Sequence, residues 1–399
     1  MTHPLLQLTA DLIDIPSVSS EEAAIADWFE RELGAIGRLE VTRVGNNVVA
    51  RTNLDRGHRI ALAGHLDTIP AKDNAKARIG GQVVYGLGAS DMKGGLAVML
   101  ELARTVADPA VDVNYVFYAR ELGALEDNGL RELFARTPEL VHADAAILGK
   151  PTDAVVEAGC QGTMTARVTL RGARAHSARS WLGRNAIHRL ASLLSALEAL
   201  ATRKPVIDGC EFRESTQAVF VEGGVAGNVV PDAATVTINH RFAPDRSPQE
   251  AEEFLRRVSK VHMEDGDSFE IIDYSPGAKP DLRHPMMATF LGRNDILVRA
   301  KFGWTDVALF AEEVSLRSTS VPVTQPLPIP RATASMRPRS RWRIRVLRTY
   351  SATACNARRS RSGTNRFSSG AKRLRPCRRP LPRRPRTPSV RARRWQASR

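Results

Sequence analysis

The chain has 399 residues, 43% hydrophobic and 25% charged, with 12 Phe and 5 Trp. That content excludes a disordered chain, a collagen-like repeat and a disulfide miniprotein, and it suffices for one large core or two domains. The net charge of +15 is unevenly placed: residues 1–313 hold all 43 acidic side chains against 34 basic ones, whereas residues 314–399 hold 24 basic side chains and no acid. An acidic body therefore carries a basic tail rich in Pro, Ser and Arg, and the two parts need separate readings.

No apolar run reaches membrane-spanning length, and the opening residues have neither a basic n-region nor an apolar h-region, so a soluble, cytoplasmic protein is expected. The four cysteines, Cys160, Cys210, Cys355 and Cys377, are far apart and form no CxxC. That usage suits a reducing compartment and argues against a cysteine-based zinc cluster.

Residues 5–13 read as a helix ended by Pro16, and Ser19 and Glu22 have capping-box spacing. Ile25, Phe29, Leu33 and Ile36 recur every three or four residues and predict an amphipathic helix. Residues 41–50 and 59–63 read as strands, 94–105 as a helix, 113–118 as a strand and 145–148 as a short buried strand. Alternation of this kind implies an α/β sheet with helices on both faces. The texture changes near Gly162. Residues 164–170 alternate like an antiparallel strand, 185–201 form a long helix, 216–222 and 235–241 are strands, and 248–261 are a helix. This order fits a ferredoxin-like split βαβ insert. The α/β pattern resumes over 283–313.

Several segments carry chemistry. His65 and Asp67 follow a predicted strand, where ligands of open α/β sheets gather. A neutral imidazole there can hold zinc while the carboxylate fixes its other nitrogen, although a solvated strand-end His beside a turn Asp has the same spelling. Asp91, flanked by Gly88 and Gly94-Gly95, can bridge cations or cap the following helix. Glu121, after the strand 113–118, suits a general base beside a metal-bound water, or a solvated loop. Arg174, His176 and Arg179 form an anion-stabilising set or an exposed basic loop. Asn228, in a glycine-rich loop, can meet substrate or occupy a turn.

Taken in order, these segments resemble the zinc-dependent exopeptidase and deacylase family, nearest to its desuccinylases. The likeness rests on Ile15-Pro16-Ser17-Val18-Ser19, Gly64-His65-Leu66-Asp67-Thr68, Gly88-Ala89-Ser90-Asp91-Met92-Lys93-Gly94-Gly95, Glu157-Ala158-Gly159-Cys160-Gln161-Gly162, Arg174-Ala175-His176-Ser177-Ala178-Arg179, Asn228-Val229-Val230-Pro231-Asp232, Arg241-Phe242-Ala243-Pro244-Asp245 and Gly303-Trp304-Thr305-Asp306-Val307. The resemblance implies an α/β zinc-exopeptidase-like catalytic domain (1–162 and 276–313) with an inserted ferredoxin-like α+β dimerisation, or lid, domain (163–275) and a non-homologous, disordered tail (314–399). It implies two zinc ions per subunit, with cobalt as the alternative metal, a homodimer, and hydrolysis of a small N-acyl amino acid. His65 then matches a ligand of one zinc, Asp67 the acid that orients it, Asp91 the bridging carboxylate and Glu121 the base. His176 matches a lid histidine reaching the partner subunit's site, and Arg179, Asn228, Arg241 and Thr305 match substrate-binding positions.

Three departures from the family pattern matter. Leu122 stands where a second Glu binds zinc, and Lys150 stands where an acid precedes Pro-Thr. From Val314 the sequence leaves the pattern, and its codons read one base earlier can restore a family-like run with the last His ligand, which points to a frameshift near Glu313. Only His65 and Asp91 of the direct ligands remain, so weak zinc binding and little hydrolysis are expected. Other readings are a different deacylase or dipeptidase of the family, a catalytically silent dimer, and nonspecific nucleic-acid contacts through the tail.

Overall fold

Successive residues of a strand point to opposite faces, so a strand rich in apolar residues at every position asks to be covered twice. The computed structural model describes residues 3–317, with side chains as far as Glu313. In it, Ile60 and Leu62 of the Arg59–His65 strand join Val113, Tyr115 and Phe117 of the Asp112–Tyr118 strand in one buried cluster, while Ala61, Ala63, Val116 and Tyr118 join another. The helices Pro4–Ile13, Ala23–Gly34 and Gly94–Thr105 supply the first cluster, and Gly129–Arg136, Pro138–Val141 and Val307–Arg317 the second.

The five-stranded sheet runs Glu40–Val44, Asn47–Arg51, Asp112–Tyr118, Arg59–His65, Ala145–Leu148. The last three of these strands are parallel, with His65 opposite Tyr118 and Ala63 opposite Leu148. Their carboxyl ends therefore open at one edge, and the residues that follow each strand meet there. Gly64 allows the Gly94–Thr105 helix and the segment before it to close on that edge, since a Cβ at this position would lie 2.8 Å from Leu96 Cδ2 and 2.5 Å from Met92 Cε.

Two local expectations are corrected. Residues 41–50 form a hairpin rather than one strand, because Gly45 takes φ 58° between the paired strands. The capping box at Ser19 and Glu22 does not form. The helix starts at Ala23, and the buried Glu22 carboxylate instead accepts the Ser20 N–H at 2.7 Å and the Arg120 N–H at 3.1 Å, fastening the loop after Tyr118. A true capping box occurs later, at Ser247 and Glu250, before the Pro248–Lys260 helix.

The insert is a four-stranded antiparallel sheet ordered Ser215–Gly223, Ala233–Phe242, Gly162–Arg171, Ser268–Ser275, with the helices Ala186–Glu198 and Pro248–Lys260 on one face. Its core holds Val168, Leu170, Leu190, Leu193, Val236, Ile238 and Leu255. Its edge strand Ser215–Gly223 leaves Val219, Phe220 and Val221 exposed. The Val307–Arg317 helix runs four residues past Glu313, into the first residues of the predicted tail. Residues 318–399, which contain most of the predicted basic tail, lie outside the described residues. No helix among the described residues is long and apolar enough to cross a membrane.

Candidate functional site

The three parallel strands deliver His65, Glu121 and Lys150 to one place. His65 is the last residue of its strand and is buried. Glu121 lies three residues beyond Tyr118, and Lys150 two beyond Leu148, where the Gly149 N–H still bonds to Ala63 O at 2.8 Å. Asp91 reaches the same spot from the turn that precedes the Gly94–Thr105 helix.

Asp67 holds the arrangement together. Its carboxylate lies 3.3 Å from His65 Nδ1 and accepts the N–H groups of Glu121 at 3.1 Å and Leu122 at 2.9 Å. Burial opposes its charge, but His65 and these two N–H donors outweigh burial and hold its pKa at about 2. The Leu122 side chain is 44% exposed and has no donor atom to offer an ion.

Lys150 is only 7% exposed. Its Nζ lies 2.7 Å from His65 Nε2, 2.9 Å from Asp91 Oδ1 and 2.9 Å from Glu121 Oε1. Burial disfavours the ammonium, but Glu121 and Asp91 more than compensate and push its pKa above the usual lysine range. For His65, burial and Lys150 act downward, while Glu121, Asp67 and Asp91 act upward and carry it to about 9. Nζ and Nε2 cannot both donate across 2.7 Å, so the contact is satisfied when Lys150 donates to a neutral His65 whose own hydrogen sits on Nδ1, facing Asp67. Asp91 is half exposed, and His65 and Lys150 overcome the effect of burial and hold its carboxyl well below the usual range.

A buried polar group behind the cluster was not foreseen from the motifs. Asp306 accepts Tyr118 OH at 2.7 Å and Asn128 Nδ2 at 2.8 Å. Burial, and then the Glu121 charge, raise its pKa to about 6. The signal was present in Gly303-Trp304-Thr305-Asp306-Val307, from which only Thr305 was singled out. Thr305 is buried beside Asp306, and its Oγ1 has no partner among the described residues.

The insert's candidate residues sit elsewhere. His176 ends the short Ala175–His176 strand, which pairs with Val229–Val230; it is exposed, and its Nδ1 accepts the Ala178 N–H at 3.1 Å. The Ser177 N–H bonds to Asn228 O at 2.8 Å, so the structure does bring His176 and Asn228 together. Arg179 is exposed, and Arg241 Nε donates to Asn239 Oδ1 at 3.1 Å. Among the described residues, no contact joins these four to the His65 cluster.

An M20 peptidase dimerisation domain matches residues 159–267, and a peptidase family M28 domain matches residues 47–129. A Mycobacterium tuberculosis H37Rv protein assigned as succinyl-diaminopimelate desuccinylase DapE is 49% identical over 307 residues, covering 77% of this chain and 86% of that protein. Succinyl-diaminopimelate desuccinylase of Corynebacterium glutamicum is 44% identical, covering 76% of this chain and 84% of its own. Among solved structures, a Staphylococcus aureus tripeptidase shares the fold with a TM-score of 0.67 at 21% identity, covering 87% of this chain and 95% of its own. The YXEP protein of Bacillus subtilis, described as a dinuclear metal binding peptidase from the M20 family, shares it with a TM-score of 0.60 at 15% identity, covering 87% and 94%. With relatives this similar over most of its length, the chain belongs to the M20 family of metallo-hydrolases, in the group of the succinyl-diaminopimelate desuccinylases.

Proposed function

We propose that this chain derives from an amide hydrolase that cleaves N-succinyl-LL-2,6-diaminopimelate to succinate and LL-2,6-diaminopimelate, in diaminopimelate and lysine biosynthesis. We propose further that the present polypeptide keeps the fold of that enzyme with little of its turnover. The observation that carries this reading is the convergence of His65, Asp67, Asp91 and Glu121 at one set of strand ends, with Lys150 bonded into their midst. In the ancestral arrangement Glu121 is the base, Asp67 the residue that orients His65, and His65 and Asp91 metal ligands. Arg179, Asn228, Arg241 and Thr305 are the substrate-binding residues, Asn228 and Arg241 toward its carboxylates, and the exposed His176 suits a reach into a second subunit.

The zinc pair of that arrangement, or cobalt in its place, does not fit the residues present. Among the described residues no group of three His, Cys, Asp or Glu side chains is placed to hold a metal ion. Catalytic zinc needs about three protein ligands, whereas His65 Nε2 and Asp91 Oδ1 both face an ammonium. Metal assistance is worth several kcal/mol, at about 1.4 kcal/mol per tenfold in rate. Succinate release by the purified chain, assayed with added zinc or cobalt, is expected to run about 10³-fold or more below that of the C. glutamicum relative. Turnover within tenfold of it sinks the reading.

The same reading makes the protein a homodimer formed through the insert. The dimerisation-domain match supports it, as does the apolar strip of Val219, Phe220 and Val221 on an edge strand. An apolar edge left bare invites strand pairing, and a lysine there blocks it. Light scattering should give twice the chain mass for the wild type and a monomer for Phe220→Lys. A monomeric wild type would count against the dimer.

A further inference from the structure

An ammonium has three N–H bonds, and Lys150 finds three acceptors at hydrogen-bond distance: His65 Nε2, Asp91 Oδ1 and Glu121 Oε1. These acceptors come from three different parts of the chain, 85, 59 and 29 positions away in sequence. The lysine stem is fixed as well, because Gly149 is still hydrogen-bonded to the strand that carries His65. The loop bearing Glu121 is held by Asp67, which accepts the N–H groups of Glu121 and Leu122. Every acceptor is thus aimed at one point before any ligand arrives, and the cation at that point belongs to the protein.

We infer that the Lys150 ammonium takes the place of the cation that this fold otherwise binds, and that it makes the His65–Asp91–Glu121 cluster a metal-independent part of the structure. The inference rests on the family reading only in taking a metal ion as the occupant that was replaced. A divalent ion bound to the same atoms sits about 2.0–2.3 Å from each of them, which is space Nζ fills. For zinc to enter, Lys150 must leave a buried site in which its Nζ has three acceptors at hydrogen-bond distance. Exclusion of the metal therefore comes from an occupied position, which is a stronger barrier than the loss of one ligand at Leu122.

The test counts metal and measures stability, and neither readout depends on turnover. Wild-type chain is incubated with zinc sulfate and desalted. Its zinc is counted by mass spectrometry, and its thermal midpoint is read in EDTA and in zinc. The expected result is less than about 0.1 zinc per chain and midpoints equal within about 1 °C. Lys150→Glu exchanges the cation for a ligand and is expected to take up about one zinc per chain, with a midpoint that rises by several degrees in zinc. Lys150→Met removes the cation alone. It is expected to melt lower than wild type in EDTA and to regain part of the difference in zinc, and it decides the matter if Lys150→Glu does not fold. One zinc per wild-type chain, or a wild-type midpoint raised by zinc, overturns the inference. So does a Lys150→Met chain as stable as wild type in EDTA and indifferent to zinc. Zinc-free wild type that releases succinate at the relative's rate would defeat the proposed loss of hydrolysis and leave this inference standing. Zinc-loaded but inactive wild type would do the reverse.

Discussion

Lys150→Met is expected to lower the unfolding free energy by about 3–5 kcal/mol, the usual cost of removing one partner from a buried ion pair. Met is unbranched like the lysine stem and one heavy atom shorter, so most of the stem's packing is kept and the main loss is the charge. Glu121 is left 10% exposed with its nearest cation gone, and His65 is left fully buried beside it. Urea titration reads the loss as a lower midpoint at unchanged slope. Glu121→Gln in the same background should recover part of it, because the stranded carboxylate is then neutral, with a coupling of at least about 1 kcal/mol. A single variant within about 0.5 kcal/mol of wild type would mean that the cluster is solvated and the ammonium dispensable.

Stability should also fall as pH drops from 6.5 to 4, because of His240 in the insert. This histidine is fully buried, stacked near Phe242 and Phe254, with Nδ1 2.9 Å from Thr216 Oγ1 and Nε2 without a hydrogen-bond partner among the described residues. Burial lowers its pKa from 6.5 to about 4, with Arg246 adding to the effect and Glu214 opposing it. The folded pKa lies below the unfolded one. Above pH 6.5 both states are neutral and nothing is lost. Below it the unfolded chain takes a proton that the folded chain refuses, so stability declines by up to about 1.4 kcal/mol per pH unit and about 3 kcal/mol in all by pH 4. The difference between wild type and His240→Gln, measured by urea titration across that range, removes the contribution of other groups. It should shrink toward acid as wild type loses its advantage. Parallel curves would refute the assignment.

Much of the fold could be read from the sequence because its signals are local. The 94–105 helix and the 145–148 strand have the boundaries predicted. The alternation along the Ala233–Phe242 strand is what a one-faced sheet requires. One error is local, the turn at Gly45 that splits residues 41–50 into a hairpin, and the other arises where a distant partner overrides local spelling. Glu22 has capping-box spacing, but it turns to the Arg120 N–H, 98 positions away. The site divides the same way. His65, Asp67, Asp91 and Glu121 could be proposed from strand-end motifs, and the structure draws them together. The behaviour of Lys150 could not be read in this manner. Its charge sign predicted repulsion of a metal, whereas its three bonds depend on the register of strands that the sequence does not spell out. The segments of His176 and Asn228 meet across a long connection through a short antiparallel pairing, His176 opposite Val229, and the Ser177 N–H on Asn228 O, which spacing does not reveal.

The Asp306 contacts bear on the order in which the chain assembles. Tyr118 and Asn128 receive this carboxylate from 188 and 178 positions downstream. At a synthesis rate of about 5–20 residues per second they wait roughly 10–40 s on the ribosome for it. The whole insert is made in that interval, and its sheet closes on contacts entirely its own. The part of the chain made first therefore receives its last buried partner only after the whole insert has been synthesised.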